Sequence, residues 1–218
     1  MTSPDKLTRQ TLAGAVKVLA RRDPDLAAVV RRHGPPPLWA RRPGFGTLLH
    51  IILEQQVSLA SARAAYRKLA AAAQPLTPAT FLALDDATLK LVGFSRQKAA
   101  YGRGLALALV NGDLDLRALN RADDEGVRTT LTRVKGIGPW SAEIYLLMVL
   151  RRPDAWPTGD LALALAAQRV KRLPKLPSTP ELLAMAEPWR PWRAVAARLL
   201  WHDYLSNPLR RGATAAGG

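Results

Sequence analysis

Apolar residues recur along this chain at three- and four-residue intervals, in segments of about ten to fifteen residues that end at Pro, Gly or Asp, and alternating β-branched runs are rare. Segments of that kind bury their apolar stripes only against one another, so an all-α fold is expected. A helix over 7–22 stops at Asp23-Pro24, where Asp23 can cap a second helix over 25–32. Gly34-Pro35-Pro36-Pro37 forces an extended connection. Two largely apolar helices follow, over 45–57 and 59–73. Thr77 or Thr80 opens a short helix, Asp85 caps the next, and the helix after Ser95 ends near Gly112. Asp123 and Asp124 introduce a helix over 125–134, and another is expected over 140–150. Beyond them come a helix from Asp160, a Pro-rich link, a last helix over 189–204 and a tail, 208–218, expected to be disordered.

Charge narrows the partners. Against 17 Asp+Glu the chain carries 32 Lys+Arg, a net charge of +15, which favours a polyanion such as nucleic acid. There are no cysteines, so thiolate zinc sites, iron–sulfur ligation and a cysteine nucleophile are excluded. Three histidines are too few and too scattered for a metal cluster. No apolar run reaches the ~18–20 residues that span a bilayer, and no apolar stretch follows the charged start of the chain. A cytoplasmic, nucleoid-associated protein with no membrane partner is expected.

The strongest local motif is Lys135-Gly136-Ile137-Gly138-Pro139, which joins two helices. Glycines there permit positive φ and close backbone approach, Ile137 can plug the turn into the core, and small Ala142 lets the helices cross closely. The second helix then opens with N–H groups that have no intrahelical acceptor. Such a terminus can hold a phosphate without reading base sequence, with Gly136, Ile137, Gly138, Trp140 and Ser141 as the candidate residues. The same pattern also describes an ordinary tight helix–helix turn.

Taken with four other segments, the hairpin resembles the helix-hairpin-helix (HhH-GPD) DNA glycosylase superfamily, and within it the AlkA-like 3-methyladenine DNA glycosylases. The segments are Leu53-Glu54-Gln55-Gln56-Val57-Ser58, Leu91-Val92-Gly93-Phe94-Ser95-Arg96-Gln97-Lys98, the hairpin itself, Trp156-Pro157-Thr158-Gly159-Asp160 and Trp189-Arg190-Pro191-Trp192-Arg193. The resemblance runs from about residue 7 to 207. It implies a two-lobe helical fold without an N-terminal β-domain: a lobe over about 40–120 carrying a wedge loop, and a lobe of 1–40 with 121–207 carrying the hairpin and the catalytic aspartate.

The resemblance implies that Asp160 is the catalytic carboxylate, although an aspartate after Gly159 could equally be a helix N-cap. A fixed carboxylate suits the chemistry, because breaking an N-glycosidic bond develops oxocarbenium-like charge on the sugar. Superfamily members that also cut the backbone carry a lysine two residues after the second glycine, where this chain has Trp140. A monofunctional enzyme is therefore implied. Trp140 and Trp201 fall on aromatic base-pocket positions, a third such position is Ile144, and Tyr145 stands beside it. Trp192 lies nine residues before Trp201, half a turn out of phase, and is assigned to packing.

For the residue that fills the stack after base flipping, the loop after Gly93 offers Phe94, with the larger stacking surface, and Arg96, which aligns better with the wedge position. His50, Gln55, Gln56, Ser58 and Lys98 are candidate DNA contacts, and the polar side chains among them could instead satisfy interior hydrogen bonds. No cofactor is required. A monovalent cation, sodium or potassium, on the carbonyls of Val134 and Gly136 is an expectation from the family. The implied partner is double-stranded DNA with an alkylated base, and the chain is expected to be a monomer. Two other readings remain: a non-catalytic helix-hairpin-helix module, and a glycosylase for mispaired or oxidised bases.

Overall fold

The computed structural model describes residues 6–207, so the expected tail lies outside the described residues. All regular structure among them is helical, as the apolar rhythm requires. In chain order the helices are α1 (Arg9–Arg22), α2 (Pro24–His33), α3 (Phe45–Glu54), α4 (Leu59–Ala72), α5 (Pro78–Leu82), α6 (Asp86–Leu91) and α7 (Arg96–Val110). They continue with α8 (Leu116–Leu119), α9 (Asp124–Thr132), α10 (Pro139–Ile144), α11 (Leu161–Val170), α12 (Thr179–Ala186) and α13 (Arg193–Ser206). A π-helical segment, Tyr145–Leu150, prolongs α10, and a 3₁₀ turn, Glu187–Trp189, precedes α13.

Short polar side chains set the starts. Asp23 accepts the N–H groups of Asp25 and Leu26 and so caps α2. Thr77 and Thr80 act together as a capping box on α5, which resolves the alternative between them. Asp85, Ser95 and Asp123 cap α6, α7 and α9 in the same way. The Pro-rich link contains a helix that its prolines concealed: Ser178 and Glu181 form a capping box and Pro180 sits in the first turn of α12, where a missing N–H costs nothing.

The chain divides into two compact units, Met1–Trp39 with Arg151–Gly218, and Ala40–Leu150. The division falls at Leu150 rather than near residue 120, so the hairpin belongs with the 40–120 segment and not with Asp160. The cause is local: α10 packs on α9 and on α3, and the helix runs on without a break into the π-helical segment.

In the first unit, α1, α2, α11 and α13 pack together around Leu12, Leu19, Leu26, Leu163, Val195 and Leu199, all buried. Polar groups inside it are paired. Asp23 receives both the ammonium of Lys171 at 2.7 Å and the indole N–H of Trp189 at 2.8 Å. Arg198 is fully buried and donates to the carbonyls of Leu38 and Ala194, at 3.0 and 2.9 Å. Asp203, equally buried, gathers Arg169, Arg32 and His33. In the second unit α3 is the central helix, with Leu48, Leu49, Ile51, Ile52 and Leu53 buried against α4 and α7. The carboxylate of Glu54 at the end of α3 is buried and held bidentately by Arg41 at 2.7 and 2.9 Å.

Candidate active site

The hairpin of the second unit is shaped by steric necessity at one glycine and by open space at the other. Gly136 has φ +95°, and a Cβ there would lie 2.2 Å from Cγ of Tyr101. Only glycine fits. Gly138 has an ordinary φ of −90°, and a Cβ there would meet nothing within 4 Å. Ile137 is buried as the plug. Helix α10 starts at Pro139 with no side chain capping it, so the backbone at its start faces outward uncapped by the protein's own side chains.

Gln55 fastens this turn to α3. Its Nε2 donates to the Gly136 carbonyl at 2.8 Å and to Ser141 Oγ at 2.9 Å. Ser141 is buried, so its hydroxyl is structural, and only its backbone remains a phosphate candidate. Gln55 likewise spends its amide inside the protein. Lys98 does the same, with Nζ 2.7 Å from the carbonyls of both Leu53 and Gln55 at the C-terminal end of α3. Burial holds its pKa below the usual lysine value. Of the five expected DNA contacts, then, Gln55 and Lys98 are internal braces.

The other three behave differently. His50 stacks on Tyr66, ring centroids 4.5 Å apart, and burial pushes its pKa down, outweighing the nearby Glu54 carboxylate. Ser58 caps α4. Gln56 is exposed and held at φ +56°, a left-handed backbone rare for a residue with a side chain, and the exposed Val57 and Leu59 flank the same turn.

Phe94 is not a wedge. Its ring is 4% exposed and packs on Phe81 with centroids 5.7 Å apart, because the Gly93 turn (φ +105°) directs it into the core. Arg96, at the first position of α7, is exposed. Lys98 reaches from the same first turn of α7 to the end of α3, which keeps the 93–97 and 55–58 loops together.

Ile144 and Tyr145 are buried in the second unit and Trp140 is half-buried at the start of α10. The Tyr145 hydroxyl has no hydrogen-bond partner among the described residues, and burial pushes its pKa up to about 12. It sits in the π-helical segment, a geometry often found where function requires a local distortion.

Asp160 belongs to the first unit. A tight turn delivers it: Thr158 N–H bonds to the Trp156 carbonyl at 2.8 Å, Gly159 takes φ +80°, and Asp160 N–H bonds to the Pro157 carbonyl at 3.2 Å. Its Oδ1 caps α11 through Leu163 N–H at 2.8 Å and also accepts the indole N–H of Trp201 at 3.2 Å. The capping role and the family position therefore coincide. Trp201 is buried on α13 at 7% exposure and touches this carboxylate. Trp192, the residue before α13 begins, is buried as well, so burial does not separate it from Trp201. The Trp189–Arg193 segment is a clasp: Arg190 and Arg193 both bind Asp154 and Glu187.

The carbonyls named for a cation are already engaged, Gly136 by Gln55 at 2.8 Å and Val134 by Ile137 N–H at 2.9 Å. Each of these oxygens keeps a second lone pair, and among the described residues no group of acidic or histidine side chains could hold a metal. No described helix is long and apolar enough to cross a membrane.

Residues 49–191 match the family model described as HhH-GPD superfamily base excision DNA repair protein. The YfjP protein of Bacillus subtilis, whose name assigns it to the DNA-3-methyladenine glycosylases, is 28% identical over 152 residues, covering 66% of this chain and 53% of that protein. The chain thus spans about half the length of this relative. DNA-3-methyladenine glycosylase 1 of Schizosaccharomyces pombe is 27% identical over 180 residues, 81% of this chain and 79% of that protein. The solved structure of the S. pombe 3-methyladenine DNA glycosylase in complex with abasic DNA superposes with a TM-score of 0.81 at 26% identity, over 86% of this chain and 95% of that one.

Proposed function

The chain belongs to the HhH-GPD superfamily of base excision DNA repair proteins, and from that premise we propose that it is a monofunctional DNA glycosylase that hydrolyses the N-glycosidic bond of alkylated bases, of the 3-methyladenine and 7-methylguanine class, in duplex DNA. The observation that carries the reading is the Asp160 carboxylate, oriented on one oxygen by Leu163 N–H and the Trp201 indole N–H. The names of the three relatives described above, each a 3-methyladenine DNA glycosylase, support the base class.

In this reading the C1′–N bond breaks with its electron pair passing to the base. A ring-alkylated purine is cationic, so it departs neutral and needs no strong acid. Positive charge then develops on the sugar, where Asp160 stabilises it and orients the attacking water. Water oxygen bonds to C1′ and its proton passes to the carboxylate or to solvent. An indole face suits a cationic, electron-poor base, and Trp140 and Trp201 are the residues proposed for that contact. Trp140 stands where a lyase would carry its lysine, which supports an abasic product with no Schiff base.

The uncapped start of α10 and the open space at Gly138 support a phosphate held at the hairpin, and the +15 net charge adds a sequence-independent attraction. Exposed Arg96 is the better of the two wedge candidates, and Gln56, projecting from a left-handed turn, is a second side chain available to the DNA stack or the opposite strand. Monomeric action in the cytoplasm, on the nucleoid, fits this role. Single-turnover release from duplexes bearing 3-methyladenine, 7-methylguanine, 1-methyladenine, ethenoadenine, hypoxanthine or 8-oxoguanine tests the reading. Release of the methylated purines is expected, and release of 8-oxoguanine alone would favour the oxidised-base reading.

A further inference from the structure

Two side chains in the second unit do something the family reading does not require of them. Lys98 places its ammonium against two backbone oxygens at the end of α3, Leu53 O and Gln55 O, both at 2.7 Å. Carbonyls there lack intrahelical partners and carry the negative end of the helix dipole, so a cation is the favoured cap. Gln55 is itself the residue so capped. From it the amide reaches 81 residues along the chain to Gly136 O and 86 residues along to Ser141 Oγ. One chain of hydrogen bonds therefore links the first turn of α7, the α3–α4 turn with exposed Gln56, and the hairpin.

We propose that Lys98 and Gln55 are positioning residues that hold the Gln56 turn, the Arg96 loop and the Gly136–Ser141 hairpin as one rigid DNA-gripping platform. The proposal rests on the DNA-glycosylase reading above. Several features support it. The ammonium is half-buried, so its loss would leave two carbonyls unsatisfied in a poorly solvated place. Gly136 cannot move toward Tyr101, and Ser141 is buried, so Gln55 grips the hairpin at two points that are themselves fixed. Gln56 takes a strained backbone directly after Gln55, a conformation that persists only where its neighbours are clamped. The DNA-facing side chains themselves contribute no part of the brace.

The test is a double-mutant cycle read as affinity for a duplex carrying a tetrahydrofuran abasic site, by fluorescence anisotropy, with melting temperatures measured in parallel. Lys98→Met and Gln55→Met are each expected to weaken binding about tenfold, the loss expected for a part-buried hydrogen bond, charge-assisted in the case of Lys98. The double variant is expected to bind within about twofold of either single variant, because both break one chain. Single-turnover base release at saturating enzyme should fall less than threefold in each, separating positioning of DNA from the chemical step. Multiplicative losses, unchanged affinity, or coupling seen in melting but not in affinity would overturn the proposal. If Lys98→Met does not fold, Gln55→Met with Ser141→Ala decides by the same criterion. Affinity is read without base release, so a wild-type protein that binds the duplex but frees no alkylated base would overturn the glycosylase reading and leave the platform standing.

Discussion

The indole N–H of Trp201 lies 3.2 Å from Oδ1 of Asp160, the same oxygen that caps α11. The aromatic residue and the carboxylate therefore form one unit. Trp201→Phe keeps an aromatic side chain, smaller than the indole, and removes the donor, and should slow single-turnover base release by about tenfold, the worth of one hydrogen bond to a charged group. Abasic-duplex affinity should hardly change. An unaltered rate would reduce Trp201 to packing.

Asp160→Asn is nearly neutral for the helix, since Asn caps as well as Asp. Melting should shift little and DNA binding should survive. Base release should fall by on the order of 10²–10³-fold, the cost of removing one preorganised electrostatic group. Undiminished release would take Asp160 out of the chemistry.

The two hairpin glycines should separate stability from binding. Gly136→Ala forces a Cβ into the Tyr101 ring at a positive φ, and should lower the melting temperature markedly. Gly138→Ala meets no protein atom within 4 Å, so it should melt like wild type yet bind DNA more weakly by anisotropy. Equal binding would remove Gly138 from the interface.

Phe94→Ala should cost about 3–5 kcal/mol in chemical denaturation, as for a buried aromatic ring. Arg96→Ala and Gln56→Ala should leave stability within about 0.5 kcal/mol, because both side chains are exposed. Their deficit should appear in release of base from duplex substrates. A Phe94→Ala protein of full stability would contradict its placement in the core.

Asp23 predicts an acid-sensitive first unit. Burial pushes its pKa up, but hydrogen bonds from Lys171, Trp189 and Leu26 outweigh this and hold it below the ordinary carboxylate value of 3.8. Its contribution is therefore complete above that value and is lost as pH falls through the lower, folded-state pKa. Asp23→Ala should cost about 1–3 kcal/mol near neutrality, combining cap and hydrogen bonds, and the gap from wild type should narrow in denaturation below pH 3.8.

Much of the helix map could be read from the chain because capping and periodicity act within three or four residues. Asp23, Asp85, Ser95 and Asp123 each cap the helix that directly follows them. Around α12 that local language is crowded with proline, which hides the helix despite its Ser178–Glu181 box. The lobe boundary lies at Leu150 and not at the expected position near residue 120 for a different reason. Nothing within 121–133 signals which neighbour α9 will pack against, and that is decided by its contact with α10.

By itself the sequence determined the all-helical architecture, the glycine turn at Gly136 and the placing of Asp160 at a helix start, all matters of backbone geometry over a few residues. Tertiary structure alone decided what the polar side chains do. For Gln55 and Lys98 the sequence allows either DNA contact or interior hydrogen bonding, and folding brings them to partners 81 and 43 residues away. Between Phe94 and Arg96 as wedge candidates the sequence does not decide, but Phe94 packs on Phe81, and Trp201 reaches Asp160 from 41 residues away. A side chain's type states what it can bond to. Only the packing of helices on helices determines which partner comes within 3 Å, and a buried donor must take the one that does.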